Sequence, residues 1–177
     1  MRYCKFSKQQ IVQMAYYLVK KKGIQYLTAR NLSVIIGMST QPIYIQFKNM
    51  GELRKLVIEQ IYDKLHEYKT GSSNNIINYV VSYITLSRKA PNLYAALWSD
   101  SKLDNKITSL LSRKYFDSEV IMKGKMQHLT ENQKTELHFK LLTLIHGFSE
   151  MHCDQSVSYE RKLEILVQSV EYYVKTI

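Results

Sequence analysis

The chain has 177 residues, 45% of them hydrophobic and 23% charged, enough to bury a core of its own, so neither intrinsic disorder nor a disulfide-stapled scaffold describes it. Cys4 and Cys153 lack metal-ligand spacing, the opening MRYCKFSKQQ lacks a signal-peptide core, and no apolar run approaches the ~18 residues of a membrane span; the expected location is a reducing cytoplasm, away from membranes. The net charge of +10 is gathered at one end: residues 1–51 carry eight Lys or Arg and no acid, whereas residues 71–177 carry 13 bases and 11 acids, which points to a polyanion as partner of the N-terminal end.

Ser7 and Gln10 form a capping box that opens a first helix, in which Ile11, Met14, Ala15 and Leu18 recur at i, i+3, i+4 and i+7. Lys20, Lys21 and Lys22 occupy its last turn, where cations suit the helix dipole, and Gly23 is the expected C-cap. Thr28 caps a second helix, expected to turn Leu32, Ile35 and Ile36 inward and to stop at Gly37. Ser39 is the expected cap of a short third helix through Pro42, Ile43, Tyr44 and Phe47. Proline is tolerated there because first-turn amides have no helical partner. Two short helices around a glycine turn make a helix-turn-helix.

From Glu52 a long helix carries Leu53, Val57, Ile61 and Leu65, and the Thr70-Gly71-Ser72-Ser73 stretch breaks it. Ile76, Val80, Tyr83 and Ile84 share the next helix, which breaks at Ala90-Pro91, and Leu93, Leu97 and Trp98 lie on a short one. Residues 104–123 form another, ended or bent at Lys123-Gly124-Lys125. Thr130 and Gln133 make a second capping box before Leu137, Leu141, Leu144, Ile145 and Phe148. Ser158 opens the last helix, with Leu163, Leu166, Val167, Val170 and Val174. The expected fold class is all-α: a three-helix, DNA-binding helix-turn-helix head over residues 1–50, and a helical body over residues 51–177.

The stretch LTARNLSVIIGMSTQPIYIQFKNMGEL resembles the helix-turn-helix of tetracycline-repressor-like (TetR/AcrR) transcriptional regulators. The resemblance covers residues 7–57 and rests on Met14-Ala15, Gly23, Thr28, Gly37, Tyr44, Phe47 and Leu53 in that order and spacing. Members of the family usually place a lysine that touches phosphate where this chain has Met50; Lys48 or nearby backbone amides would have to act instead. Pro91-Asn92-Leu93-Tyr94 and Ile145-His146-Gly147 are similar to features of one subgroup. The resemblance implies a repressor that binds a palindromic DNA operator as a homodimer through its last two helices. It also implies a body enclosing a small hydrophobic ligand whose binding releases the DNA.

A reading helix sets the short side chains of its N-terminal end against base edges, here Ser39, Thr40, Gln41 and Pro42. Gln41 can pair bidentately with adenine, Thr40 and Pro42 can meet a thymine methyl, and Arg30, matching an arginine of some family members, suits guanine. Tyr44, Gln46 and Lys48 are expected on phosphates, and Ile43 and Phe47 in the core. Tyr83, Tyr94, Trp98 and Met122 are the expected ligand-lining residues. His146, Glu150 and Cys153 share a helical spacing, with His138 two turns earlier, but read as surface residues rather than a metal site. No phosphate-binding glycine loop, nucleophile elbow or paired-carboxylate motif occurs, so neither catalysis nor a cofactor is expected. The alternative is an all-helical interaction protein whose basic end binds an acidic protein or membrane surface.

Overall fold

The computed structural model describes residues 6–69, 72–98, 102–150 and 157–176, with backbone alone at 102–107. The fold is all-α: among the described residues every regular element is a helix and none is a strand. Cys4, Asp100 and Cys153 lie outside the described residues, as does the break at Thr70-Gly71.

Local signals set the first elements. α1 (Lys8–Lys22) opens on the expected capping box: Gln10 N donates to Ser7 Oγ at 3.2 Å and Ser7 N to Gln10 Oε1 at 2.8 Å. It ends at Gly23, whose φ of 98° and ψ of 162° lie where side chains are strained, and the chain passes into a short 3-10 turn. α2 (Ala29–Ile36) is capped by Thr28, whose Oγ1 accepts from Asn31 N at 3.1 Å, and closed by Gly37 in the left-handed conformation.

The next two helices start elsewhere than their sequence signals suggest. The N-cap of α3 (Gln41–Gln46) is Thr40, already helical and without a side-chain cap bond, so Ser39 belongs to the turn. α4 (Met50–Lys64) starts ahead of Glu52, because Asn49 Oδ1 accepts from Glu52 N at 3.0 Å and so fixes the helix start.

The chain divides into two compact units. The first contains α1 to α4, α6 (Pro91–Leu97) and the start of α7 (Lys102–Phe116). Its core joins Ile11, Ala15 and Val19 of α1 to Leu32, Ile43, Phe47, Leu53, Val57, Ile61, Leu93 and Ala96, all buried. Gln13 of α1 accepts from Gln60 Nε2 of α4 at 2.6 Å. Asn92 Nδ2 donates to the Lys20 carbonyl at 3.1 Å, which satisfies an end of α1 that has no helical partner. Ile35 corrects the inward assignment: it is 51% exposed, so the buried stripe of α2 is Leu32, Ser33 and Ile36.

The second unit contains most of α5 (Asn75–Lys89), the end of α7, α8 (Glu131–Glu150) and α9 (Tyr159–Lys175). Thr130 and Gln133 form the second capping box, and Ser158 caps α9. α7 runs on into a π-helical segment, Asp117–Met122, so the widened turn precedes the Lys123-Gly124-Lys125 bend. At Gly124 a Cβ would lie 2.1 Å from the Val120 carbonyl oxygen, so only glycine fits there. The π segment turns Glu119 into the interior, where Lys69 meets it at 2.5 Å and Lys123 at 2.7 Å. Burial raises the Glu119 pKa, but the hydrogen bonds from Lys123 and Lys69 outweigh it and hold the carboxyl below the ordinary range.

His138 of α8 stacks on Phe116 with ring centroids 4.7 Å apart. Burial, and then the nearby Arg113 cation, lower its pKa from 6.5 to about 4, while Asp117 opposes them. The folded chain therefore binds this proton less readily than the unfolded chain. Stability is full above pH 6.5 and falls as pH drops towards 4, by about 2–3 kcal/mol. Thermal melts of His138→Gln should lose most of that slope between pH 6.5 and 4.5. An unchanged slope would place its origin elsewhere.

Candidate nucleic-acid interface

α3 has two faces within very few residues. Pro42, Ile43 and, just past the helix, Phe47 point inward; Ile43 and Phe47 are 1% and 2% exposed. Gln41, Tyr44, Ile45 and Lys48 follow the complementary spacing i, i+3, i+4, i+7 and are exposed. Arg30, in the first turn of α2, and Ser39, in the turn, are exposed too, while Thr40 and Gln46 are half-buried. Pro42 departs from its expected role: its ring is buried beneath α3, so it packs the helix and is not presented to a base. Ile45, not Pro42, is the apolar side chain on the outer face of α3, at 58% exposure.

The far end of α3 is clamped by residues that sequence reasoning missed. Lys8 Nζ pairs with Glu52 Oε1 at 2.6 Å, and Lys48 N donates to Glu52 Oε2 at 2.8 Å. The Lys8 ammonium also sits 5.1 Å from the Phe47 ring centroid. These bonds, from Lys8 first and the Lys48 amide second, hold the Glu52 carboxyl below its usual range. The first acid of the chain is thus tied to α1 and to the end of α3, and the Lys48 side chain remains on the surface. The Asn49-x-x-Glu52 spacing was the available signal for part of this, because it matches the capping pattern.

Of the expected ligand-lining residues, Tyr94 and Trp98 belong to the first unit and Tyr83 and Met122 to the second. Tyr94 and Trp98 pack on one another at 5.8 Å in the first unit. Tyr83 is buried in the second, its ring 5.1 Å from Tyr79 and 6.1 Å from Tyr115. Met122 is 61% exposed. The second unit does contain a cavity of about 700 Å³, between α5, α8 and α9, and none of these four lines it.

Among the described residues no group of three His, Cys, Asp or Glu could hold a metal, and no helix is long and apolar enough to cross a membrane. His146 and Glu150 are exposed.

No protein-family model matches the chain, and no curated protein matches its sequence. Its structure is similar to the crystal structure of a candidate transcriptional regulator from Pseudomonas aeruginosa PAO1. The TM-score is 0.58 over 98% of this chain and 94% of that one, at 10% sequence identity, so the two share an all-helical fold along nearly their whole lengths.

Proposed function

We propose that this chain is a DNA-binding transcriptional regulator, a repressor that grips a palindromic operator as a homodimer and is released by a small ligand. The reading assigns it no catalysis and no cofactor. The observation that carries it is the outer face of α3, where Gln41, Tyr44, Ile45 and Lys48 stand exposed in a segment free of acids up to Glu52. The resemblance to tetracycline-repressor-like proteins and the shared fold with a candidate regulator support the same reading.

On this reading α3 enters the major groove. Gln41 meets an adenine edge, Ile45 a thymine methyl, and Arg30 a guanine or a phosphate. Tyr44 and Lys48 hold phosphates, which position the head without reading sequence. Glu52 does not repel the backbone, because its charge is already engaged by Lys8 and the Lys48 amide.

Binding of variants to the selected operator and to random duplexes, across a range of salt, tests this. Lys48→Ala should weaken both duplexes alike and make the salt dependence shallower by ~1 unit per charge lost. Tyr44→Phe should weaken both without changing the salt slope, because the hydroxyl is neutral. Gln41→Ala should cost roughly 1–3 kcal/mol per half-site on the operator and little on random DNA. If Gln41→Ala weakened both duplexes equally, α3 would not be a reading helix, and the basic end would be a general polyanion surface.

A further inference from the structure

We propose that the second unit holds a site for an anionic amphiphile, an apolar chain ending in a carboxylate, in the cavity between α5, α8 and α9. This deepens the ligand part of the proposed function, and its test needs no DNA, so the two can fail separately. The volume of about 700 Å³ falls in the range that holds small organic ligands. Ile84, Leu144, Phe148, Val157, Ile165 and Leu166 supply an apolar wall.

The polar atoms of the wall select the ligand. Three of the four Ser or Thr hydroxyls among its described residues are engaged within their own helices: Ser87 donates to Ile84 O, Thr143 to Phe139 O and Ser169 to Ile165 O. The fourth, Ser149 Oγ, is buried with no partner among the described residues, an unfavourable state that a ligand oxygen would relieve.

Among the described residues the charge of the lining has one sign: Arg88 and Lys162 contribute to it, and no Asp or Glu does. The Arg88 guanidinium carbon sits over the Tyr159 ring, 3.7 Å from its centroid, and Tyr159 meets the Phe148 ring at 6.1 Å. A guanidinium held over a ring still presents its edge N–H groups, which can receive a carboxylate in two parallel bonds. Arg88 forms no ion pair with a described carboxylate, whereas Arg113, Lys134, Lys140 and Arg161 of the same unit each do. A neutral hydrophobe would leave that cation and the Ser149 hydroxyl unanswered. A carboxylate head at the rim, with its chain inside, engages the cation and buries the wall.

Calorimetric titration of the full chain with dodecanoate, dodecanol and dodecylamine below their micellar concentrations decides the matter. One dodecanoate should bind per chain, at least tenfold tighter than dodecanol, and dodecylamine should be weakest. Arg88→Gln should remove most of the dodecanoate advantage and leave dodecanol unchanged; if that variant is unfolded by circular dichroism, Lys162→Gln reads the same head. Gly147 lines the cavity and a Cβ there meets nothing within 4 Å, so Gly147→Phe should fold and obstruct the cavity, weakening binding of both at least tenfold. Equal affinity for dodecanol, or dodecanoate binding that survives Gly147→Phe, would overturn the proposal. So would a wild-type chain that binds no dodecanoate while Gly147→Phe changes its oligomeric state, which would make the cavity a seat for a second copy.

Discussion

Phe47→Ala is expected to cost about 3–5 kcal/mol of stability and to abolish the proposed operator binding, although Phe47 itself is buried on the inner side of α3. The ring is 2% exposed, it ends α3, and Lys8 sits over it. Removing it opens a cavity beneath the helix that carries Gln41 and Tyr44, and takes away the aromatic partner of the Lys8 ammonium. Urea unfolding should show a lower midpoint with an unchanged slope, the sign of lost stability rather than of an altered unfolded state. Phe47→Leu, which keeps most of the volume, should cost under ~1.5 kcal/mol and keep DNA binding. A Phe47→Ala chain that stays within ~1 kcal/mol of the wild type would show that the head does not depend on this anchor.

Phe139→Glu combined with Tyr172→Glu is expected to turn the proposed dimer into a monomer without unfolding it. These residues leave large apolar area uncovered on α8 and α9: Phe139 is 71% exposed and Tyr172 68%. A charge forced into a two-fold interface is desolvated without a partner at about 3–5 kcal/mol, and symmetry places each one twice. Leu166 and Val170 would be the wrong probes. They are 5% and 1% exposed within the single chain, so a charge there attacks the core of the second unit. Light scattering at micromolar concentration should show half the mass with an unchanged circular dichroism spectrum. Operator affinity should fall with it, because each half-site is then held alone. A variant that stays dimeric would move the association surface off these two helices.

What the sequence revealed was set by neighbours along the chain. The caps at Ser7, Thr28, Thr130 and Ser158 join residues three apart, and the glycine stops at Gly23 and Gly37 follow from backbone freedom at single positions. Asn49 belongs to the same class, but its cap signal is masked by Glu52, which as the first acid looks like a helix start itself. Ile35 and Pro42 are different. Three consecutive positions of a short helix can satisfy more than one apolar stripe, and only the packed neighbours decide that Ile36 goes in and Ile35 out. The outer face of α3 was legible because Ile43 and Phe47 were placed inside by spacing, leaving Gln41, Tyr44 and Lys48 outside. The cavity was not. It is lined by three helices brought together from distant parts of the chain, and no local spacing announces it.

Lys8 and Glu52 are 44 residues apart and meet at the end of α3, which has a consequence for modularity. The helix pair spanning residues 28–49 is not a transferable cassette. Cut out and grafted onto another scaffold, it would bring its outward side chains along and leave behind the carboxylate that fixes the Lys48 amide and the ammonium that covers Phe47. The smallest piece that keeps the pitch of α3 runs from the cap of α1 into the first turn of α4. Any exchange of specificity between chains of this fold is therefore best made by swapping outward side chains one at a time.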